Sequence, residues 1–335
     1  MQALFYILVA VAIAVGIWQV TKIFKLSRTV ANTKDNDIQG KLMLGFMFVF
    51  YLFMIFTVFK WKHVFLPDAA SEEGYHYDNL WAITMAVIIF VQFVTQTLLF
   101  FFSYKYRGVE GRKAVYETDS HKLELIWTSV PTVVLTLLIG YGLWVWTSVM
   151  DNSDSEDPLI IEVYAKQFSW EARYAGEDAM LGRANVRNIK GINTMGVDMT
   201  DVNAQDDVPV RELHLPKGRK VVFKFRSQDV LHSAYMPHFR AQMNCVPGMI
   251  TEFGFTPSKT TEEMRLDPDT MVKVEGINKI RAEKGEDPYE FDYLLLCNKI
   301  CGASHYNMQM KIVVEEPAAF DTWLSNQKTM AQVVQ

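Results

Sequence analysis

One short stretch near the carboxyl end carries the side chains best suited to bind a metal. Residues 297–308 read Cys297-x-x-x-Cys301-x-x-x-His305-x-x-Met308, which places two thiols, an imidazole and a thioether on one tight loop. Thiolate and thioether sulfur favour Cu(I), and imidazole binds both copper oxidation states. A blue-copper site needs one cysteine, and this loop has two. The spacing therefore predicts a copper centre with two thiolate ligands.

Three other interpretations compete with copper for this loop. Zinc sites usually take C-x2-C or C-x4-C spacing and rarely use a thioether. Redox dithiols normally show C-x-x-C. A structural disulfide between Cys297 and Cys301 is possible in an oxidising compartment, but it leaves His305 and Met308 unexplained. Copper is the interpretation that uses all four side chains.

The loop resembles the dinuclear copper A loop of cytochrome c oxidase subunit II. That family takes a further histidine from upstream, and Asp229-Val-Leu-His232-Ser matches its motif. The resemblance implies two coppers bridged by both thiolates, with His232 and His305 as terminal ligands. It also implies weak axial ligation by Met308 and by the backbone carbonyl of Lys299. The similarity extends over roughly residues 75–320.

Composition narrows the class of protein. Half of the 335 residues are hydrophobic, and they are concentrated before position 150. The net charge of −5 gives no basic footprint for nucleic acid. Three cysteines cannot build a disulfide framework. We expect the third, Cys245, to be a small buried hydrophobic residue rather than a redox group.

Apolar runs at residues 3–21, 42–59, 81–102 and 125–147 are long enough to cross a bilayer, so the sequence predicts four transmembrane helices. A signal peptide is the alternative for the first run, but no basic residue precedes it. The loops 22–41 and 103–124 each hold five Lys or Arg, which predicts that both termini lie on the outer side of a bacterial plasma membrane.

The predicted divisions are two extra helices in 1–62, a helical hairpin in 75–150 and a copper domain in 151–335. Family members usually have two membrane helices, and Glu124-x-x-Trp-Thr-x-x-Pro131 resembles the start of their second one. The resemblance makes Glu124 a candidate entrance to a proton path. His63, His76 and His121 are placed in loops, so haem is expected only in the partner subunit.

Beyond an acidic linker, short runs of β-favouring residues predict a Greek-key sandwich of the cupredoxin kind. These runs are 159–164, 168–174, 211–215, 220–225, 250–255, 291–296 and 308–314. His214 is interpreted as structural, and a short helix is predicted for 317–327. Insertions at 176–209 and 258–290 interrupt the strands, the second with a helix around 274–284. They are expected to be lids or subunit contacts.

Two positions differ from the family pattern. Lys299 occupies a position where the family commonly has Glu, whose carboxylate binds a Mg or Mn ion, and an ammonium cannot ligate a cation. The Mg or Mn site is therefore in doubt. Phe168 stands where the family has a tryptophan on the route of electron entrance. Phe168 and Trp170 remain the candidate region for that route.

The predicted function is the electron-accepting subunit of a respiratory terminal oxidase. It would take electrons from cytochrome c at copper A and pass them to haem in subunit I, where oxygen is reduced. The alternatives are a copper A subunit of a nitric or nitrous oxide reductase and a membrane-tethered copper-delivery protein. Because His238, Arg240, Gln242 and Asn244 suggest a neutral-to-basic rim, the donor is hypothesised to be a haem c domain of a co-assembled quinol-oxidising complex.

Overall fold

The computed structural model of the chain describes residues 2–26, 32–61, 66–152 and 157–334. It divides into two compact units. The first comprises Met1–Lys62 with Ala86–Trp127, and the second comprises His63–Met85 with Thr128–Gln335.

Four long helices precede the sandwich: α1 (Gln2–Leu26), α2 (Thr33–Trp61), α3 (Glu72–Lys105) and α4 (His121–Met150). The first unit contains α1 and α2 with residues 86–105 of α3 and residues 121–127 of α4. Within this unit α2 and α3 are joined by polar and aromatic contacts. The Tyr51 hydroxyl donates to the Phe93 carbonyl at 3.1 Å, and Arg107 binds the Asp37 carboxylate at 2.7 Å. Polar contacts are rare between apolar helices, so these two contacts fix the register of α2 against α3.

Among the described residues, α2, α3 and α4 are long and apolar enough to cross a membrane. The apolar part of α1 is a shorter helix, Val9–Lys22, so a fourth span stays a prediction. The helices extend beyond the predicted runs because their polar ends continue the same backbone hydrogen bonding. At ~1.5 Å per residue, α3 measures roughly 50 Å against a hydrocarbon core of about 30 Å.

This extension corrects the placement of two histidines. His76 and His121 lie in the polar first turns of α3 and α4, not in loops. The ring of His76 meets the edge of Trp144, with centroids 6.2 Å apart. His63 lies outside the described residues.

The described part of the second unit contains ten strands, arranged as two five-stranded sheets. The strands are β1 Leu159–Lys166, β2 Ser169–Tyr174, β3 Val208–Val210, β4 Leu213–Pro216, β5 Val221–Ser227, β6 His232–Met236, β7 Ala241–Cys245, β8 Thr251–Phe255, β9 Tyr293–Cys297 and β10 Gln309–Glu315. The first sheet has the order β3-β2-β1-β5-β8, and the second has the order β4-β10-β9-β6-β7. The pairs β1/β5 and β4/β10 are parallel, and the other paired strands are antiparallel.

Each predicted run overlaps an observed strand, but β3, β6 and β7 were missed. Strand β3 is short and contains Pro209, as an edge strand can. Strand β6 lacks hydrophobic alternation, and β7 alternates over only five residues, with Gln242 and Asn244 exposed. His232 lies beyond β5 and opens β6.

The core lies between the two sheets and follows the two-residue period of the strands. Side chains that are completely buried include Ile161 and Val163 on β1 and Phe223 and Phe225 on β5. Cys245 is also fully buried in this core, and burial raises the pKa of its thiol to about 12. A protonated thiol in apolar surroundings agrees with its predicted structural role.

Within the second unit, the start of α3 is bonded to the sandwich. The Ser71 hydroxyl donates to the Phe239 carbonyl at 2.7 Å, and the Glu73 carboxylate accepts from Lys220 at 2.8 Å. Arg240 binds both carboxylate oxygens of Asp78 at 2.7 Å. These bonds attach the first turns of α3 to the sandwich.

Shorter helices and the two insertions cover the sandwich. Helices α5 (Thr261–Arg265) and α6 (Pro268–Glu283) lie in the second insertion, and α7 (Pro317–Ser325) and α8 (Met330–Val334) end the described chain. His214 on β4 stacks on Trp323 of α7 with centroids 3.9 Å apart. It is structurally paired on both ring nitrogens, with Glu315 at 3.1 Å and Glu212 at 3.0 Å.

Candidate metal centre

Three neighbouring strand ends bring the predicted ligands together. His232 is the first residue of β6, and Cys297 is the last residue of β9. Because β6 and β9 pair with Ala234 opposite Cys297, His232 comes to lie beside the thiol of Cys297. Cys301, His305 and Met308 lie on the β9–β10 connection, which is closed by a bond from Cys297 N to Met308 O at 3.1 Å.

The donor atoms form two groups, one around each thiol. Cys297 Sγ lies 3.8 Å from His232 Nδ1 and 3.2 Å from the carbonyl oxygen of Lys299. Cys301 Sγ lies 3.7 Å from His305 Nδ1 and 3.9 Å from Met308 Sδ.

The two sulfur atoms are 3.9 Å apart. All six predicted donors therefore converge, each group offering one imidazole and one weaker donor beside a thiol.

Burial gives the centre a low-dielectric environment. His232 is completely buried, Met308 is 2 % exposed and Cys301 is 7 % exposed, whereas Cys297 and His305 are half-buried. Burial, followed by the charge of neighbouring Cys297, raises the pKa of the Cys301 thiol to about 11. Burial of two thiolate charges side by side is unfavourable unless a cation compensates them. The arrangement is therefore suited to a metal rather than to free thiolates.

The donor set fits copper by its chemistry. Two thiols, two imidazoles and a thioether are soft or borderline ligands that copper prefers, and zinc seldom accepts a thioether. Within the residues that the structure describes, His232, Cys297 and Cys301 form a cluster whose ligand atoms all lie within 4.8 Å of one another.

Two residues that sequence reasoning did not identify support the ligands. Asp229 Oδ1 lies 2.8 Å from His232 Nε2, and Asp229 Oδ2 accepts from the backbone N–H of Gln167 at 2.8 Å. The Gln167 side chain donates to the carbonyl of Cys301. Burial by itself would raise the pKa of Asp229. The hydrogen bonds from Gln167, His232 and Val230 outweigh burial and lower this pKa. An acid three residues before a candidate ligand was the available signal.

The two aromatic residues predicted for electron entrance lie against the ligand loop. Trp170 is only 4 % exposed, and its indole N–H donates to the Met308 carbonyl at 3.3 Å. Its ring centroid is 6.2 Å from that of His232. Phe168 is half-buried and packs over Gly302, next to Cys301.

The side chains of two further candidate residues do not belong to the donor group. Lys299 is exposed, and only its carbonyl oxygen, one of the six donors, lies near Cys297 Sγ. Glu124, in the first turn of α4, has a half-exposed side chain 3.5 Å from His121 Nδ1. The Mg or Mn site and the proton path stay predictions.

The predicted rim of the centre needs correction at two positions. Asn244 pairs with Ser233 next to His232, but His238 and Arg240 lie at the opposite end of the β6–β7 hairpin. The imidazole of His238 packs between Phe291 and Tyr293, and Arg240 binds Asp78. A strand rises ~3.3 Å per residue, so the hairpin turn is more than about 13 Å from the ligand. Neither residue belongs to the rim.

Comparison with known proteins gives the family. The profile of the cytochrome c oxidase subunit II transmembrane domain matches residues 58–145. The alternative cytochrome c oxidase subunit 2 of Bradyrhizobium diazoefficiens is 34 % identical over 283 residues, covering 84 % of this chain and 88 % of that protein. The cytochrome c oxidase subunit 2 of Thermostichus vulcanus is 22 % identical over 294 residues, covering 80 % of each.

A solved structure, the periplasmic domain of subunit II of cytochrome oxidase from Bradyrhizobium japonicum, is similar with a TM-score of 0.31 and 18 % identity. The matched region covers 51 % of this chain and 93 % of that structure's chain.

Helices long enough to span a membrane, followed by a β-sandwich with a converged thiol and imidazole cluster, together with these relatives, define a subunit of a haem-copper oxidase. The chain belongs to the cytochrome c oxidase subunit II family. The predicted family and fold class, transmembrane helices followed by a cupredoxin-like sandwich, are thereby confirmed. It is a membrane protein and a subunit of an oxidoreductase complex that includes subunit I.

Proposed function

We propose that this chain is the electron-accepting subunit of a respiratory terminal oxidase. It takes electrons from a cytochrome c donor at a dinuclear copper A centre and passes them to haem in subunit I, where oxygen is reduced to water. The observation that carries the proposal is the division of six donors into two groups around thiols 3.9 Å apart. A mononuclear site has no use for two such groups.

The ligands that would hold the metal follow from these distances. Cys297 and Cys301 would be shared, His232 and the Lys299 carbonyl would serve one side, and His305 and Met308 the other. When bound, dinuclear copper supplies reversible one-electron storage. The burial of His232 and Cys301 excludes water, and the strand ends keep the donors in place, so the site changes little in shape when its charge changes.

The membrane arrangement is part of the proposal. Four spans, with α1 as the first, place both termini on the outer side, because Lys and Arg accumulate in 22–41 and 103–124. Glu124 then lies near the inner surface at the start of α4, where it could pass protons toward subunit I. On this arrangement the sandwich and its metal centre face the outer side.

The partner that delivers electrons is proposed to dock through a weakly charged surface. Near the ligand loop, Ile300 is 86 % exposed and Tyr306 is 88 % exposed, and Lys299 is the neighbouring charge. Exposed apolar and aromatic side chains favour a close, slowly dissociating contact over long-range steering of a basic protein. A haem c domain of a co-assembled quinol-oxidising complex fits such a surface.

Cysteine substitutions in the full chain, reconstituted in lipid nanodiscs with copper, test the site assignment. Cys297→Ser and Cys301→Ser are each expected to abolish the dinuclear absorption and resonance spectra. Cys245→Ser is the control and should leave them intact, because Cys245, although it pairs with His232 across β6 and β7, packs in the core and is not one of the six predicted donors. A dinuclear spectrum that survives either ligand substitution, or that is lost with Cys245, would overturn the assignment.

A further inference from the structure

The β1–β2 turn, residues Lys166–Ser169, contacts residues beside both groups of donors. The backbone N–H of Gln167 donates to Asp229 Oδ2 at 2.8 Å, and the other oxygen of that carboxylate holds His232 Nε2 at 2.8 Å. The side-chain N–H of Gln167 donates to the carbonyl of Cys301. Gln167 therefore connects Asp229, which holds His232, to the backbone of Cys301.

Phe168 adds a packing contact to the same turn. A Cβ atom placed on Gly302 would lie 2.8 Å from two ring atoms of Phe168 and 3.1 Å from Gln167 Nε2. Gly302 also has a φ of +143°, which side chains rarely adopt. The turn thus approaches the backbone beside Cys301 as closely as the absence of a side chain allows.

The two sheets explain what this contact achieves. The turn joins β1 and β2 of the first sheet, whereas His232 and Cys297 lie on β6 and β9 of the second sheet. The β9–β10 connection that carries Cys301 has little regular structure of its own, since a single short 3-10 turn lies within it. The bonds from Asn298 N to Ser233 O and from Cys297 N to Met308 O tie the ends of this connection to the second sheet, and Gln167 adds a bond from the opposite sheet at Cys301, between them.

We propose that Gln167 is a positioning residue of the metal centre, and that the β1–β2 turn is a brace that fixes the thiol of Cys301 relative to His232 and slows metal release. This inference rests on the proposed function, because it assigns the brace to a copper site. It acts through the carbonyl of Cys301 and through Asp229, without contacting the metal.

The substitution Gln167→Glu tests the brace with little change of shape. A carboxylate has no N–H to donate, so the bond to the Cys301 carbonyl is lost while the backbone bond to Asp229 stays. Gln228→Glu is the matched control, since it makes the same change at an exposed glutamine one residue from Asp229. Gly302→Ala is a second variant that displaces Phe168 through its side chain.

Two measurements on the full chain in nanodiscs separate the outcomes. Copper release to a chelator is expected to be roughly tenfold to a hundredfold faster in Gln167→Glu and Gly302→Ala, as for other residues that orient metal ligands, and unchanged in Gln228→Glu. In the metal-free chain, amide hydrogen exchange of peptides containing Cys301 should rise in the two variants but not in the control.

Release and exchange that match the wild type would overturn the brace. Exchange does not require copper, so it distinguishes this result from failure of the proposed function. A wild-type chain that binds no dinuclear copper, yet shows faster exchange in Gln167→Glu, would remove the copper site and thereby this assignment. A wild-type dinuclear site with unchanged release in both variants would remove the brace alone.

Discussion

Replacing Arg173 by methionine should destabilise the sandwich strongly, because the guanidinium neutralises carboxylates that cannot reach water. Arg173 is 2 % exposed and binds Glu162 and Asp207, which are 3 % and 0 % exposed. It also donates to the Gly182 carbonyl at 2.6 Å, which ties the first insertion to β2. Arg226 remains as a second partner for Glu162, so Asp207 becomes the uncompensated group.

The magnitude follows from that burial. Removing one partner of a buried ion pair costs about 3–5 kcal/mol. For a domain of this size that corresponds to a fall in Tm of roughly 6–20 °C. The matched control is Arg183→Met in the same insertion, whose guanidinium is 74 % exposed and pairs with Asp198 and Asp201. Exposed pairs contribute ~0–1 kcal/mol, so the control should lower Tm by no more than a few degrees.

The dependence on pH has a definite sign. Burial raises the pKa of Asp207 from 3.8 to about 6, even with Arg173 beside it. A carboxyl whose folded pKa is raised favours the folded state below its unfolded pKa, and that contribution is lost as pH rises through about 6. Without Arg173 the pKa rises further. The deficit of Arg173→Met should therefore be smaller at pH 5 than at pH 8.

Thermal unfolding of the full chain in detergent, followed by tryptophan fluorescence at pH 5 and pH 8, measures both effects. An Arg173→Met chain no less stable than Arg183→Met would refute the reasoning about burial. A deficit that grows as the pH falls would refute the assignment of Asp207 as the uncompensated group.

Two further predictions concern the surroundings of the metal centre. In the assembled oxidase no Mg or Mn should be coordinated by residue 299, because its ammonium repels a cation; a metal analysis or anomalous map with such an ion bound there would contradict this. Turnover with soluble cytochrome c should vary only modestly across a salt series, since Ile300 and Tyr306 offer apolar contacts. Fast activity at low salt that collapses as salt rises would instead indicate electrostatic docking.

The helices show which part of a membrane chain can be predicted from hydropathy. The apolar runs correctly predicted the positions of the helices, because side chains that face lipid must be apolar wherever a helix crosses the bilayer. They could not predict where helices end, since the polar first turns of α3 and α4 face water and carry no such constraint. His76 and His121 were placed wrongly for this reason.

The strands likewise fall into those that could be predicted from the sequence and those that could not. Strands β1 and β5 are rich in apolar, β-branched and aromatic residues, which identified them. Strands β6 and β7 combine the candidate ligand His232 with exposed polar residues such as Gln242 and Asn244, and their pairing depends on the sheet around them. Turn position was equally invisible, which is why Arg240 was assigned to the rim although its hairpin turns toward α3.

The side chains that converge at the candidate metal centre could be predicted because their donor atoms and spacing are chemically unusual. Cys297, Cys301, His305 and Met308 lie within one loop, and His232 was added by resemblance. Asp229 and Gln167 act by hydrogen bonds that form only after three separate connections meet. The place of Asp229 three residues before His232 was a signal of such a role, whereas an ordinary glutamine in a turn, such as Gln167, gives none.

The most direct test of the account is the metal content and resonance of the full chain reconstituted in nanodiscs and loaded with copper. The account predicts two coppers per chain and the resonance of one unpaired electron delocalised over both. One copper per chain with a localised resonance, or preferential retention of zinc when both metals are offered, would contradict the assignment of Cys297 and Cys301 as shared ligands.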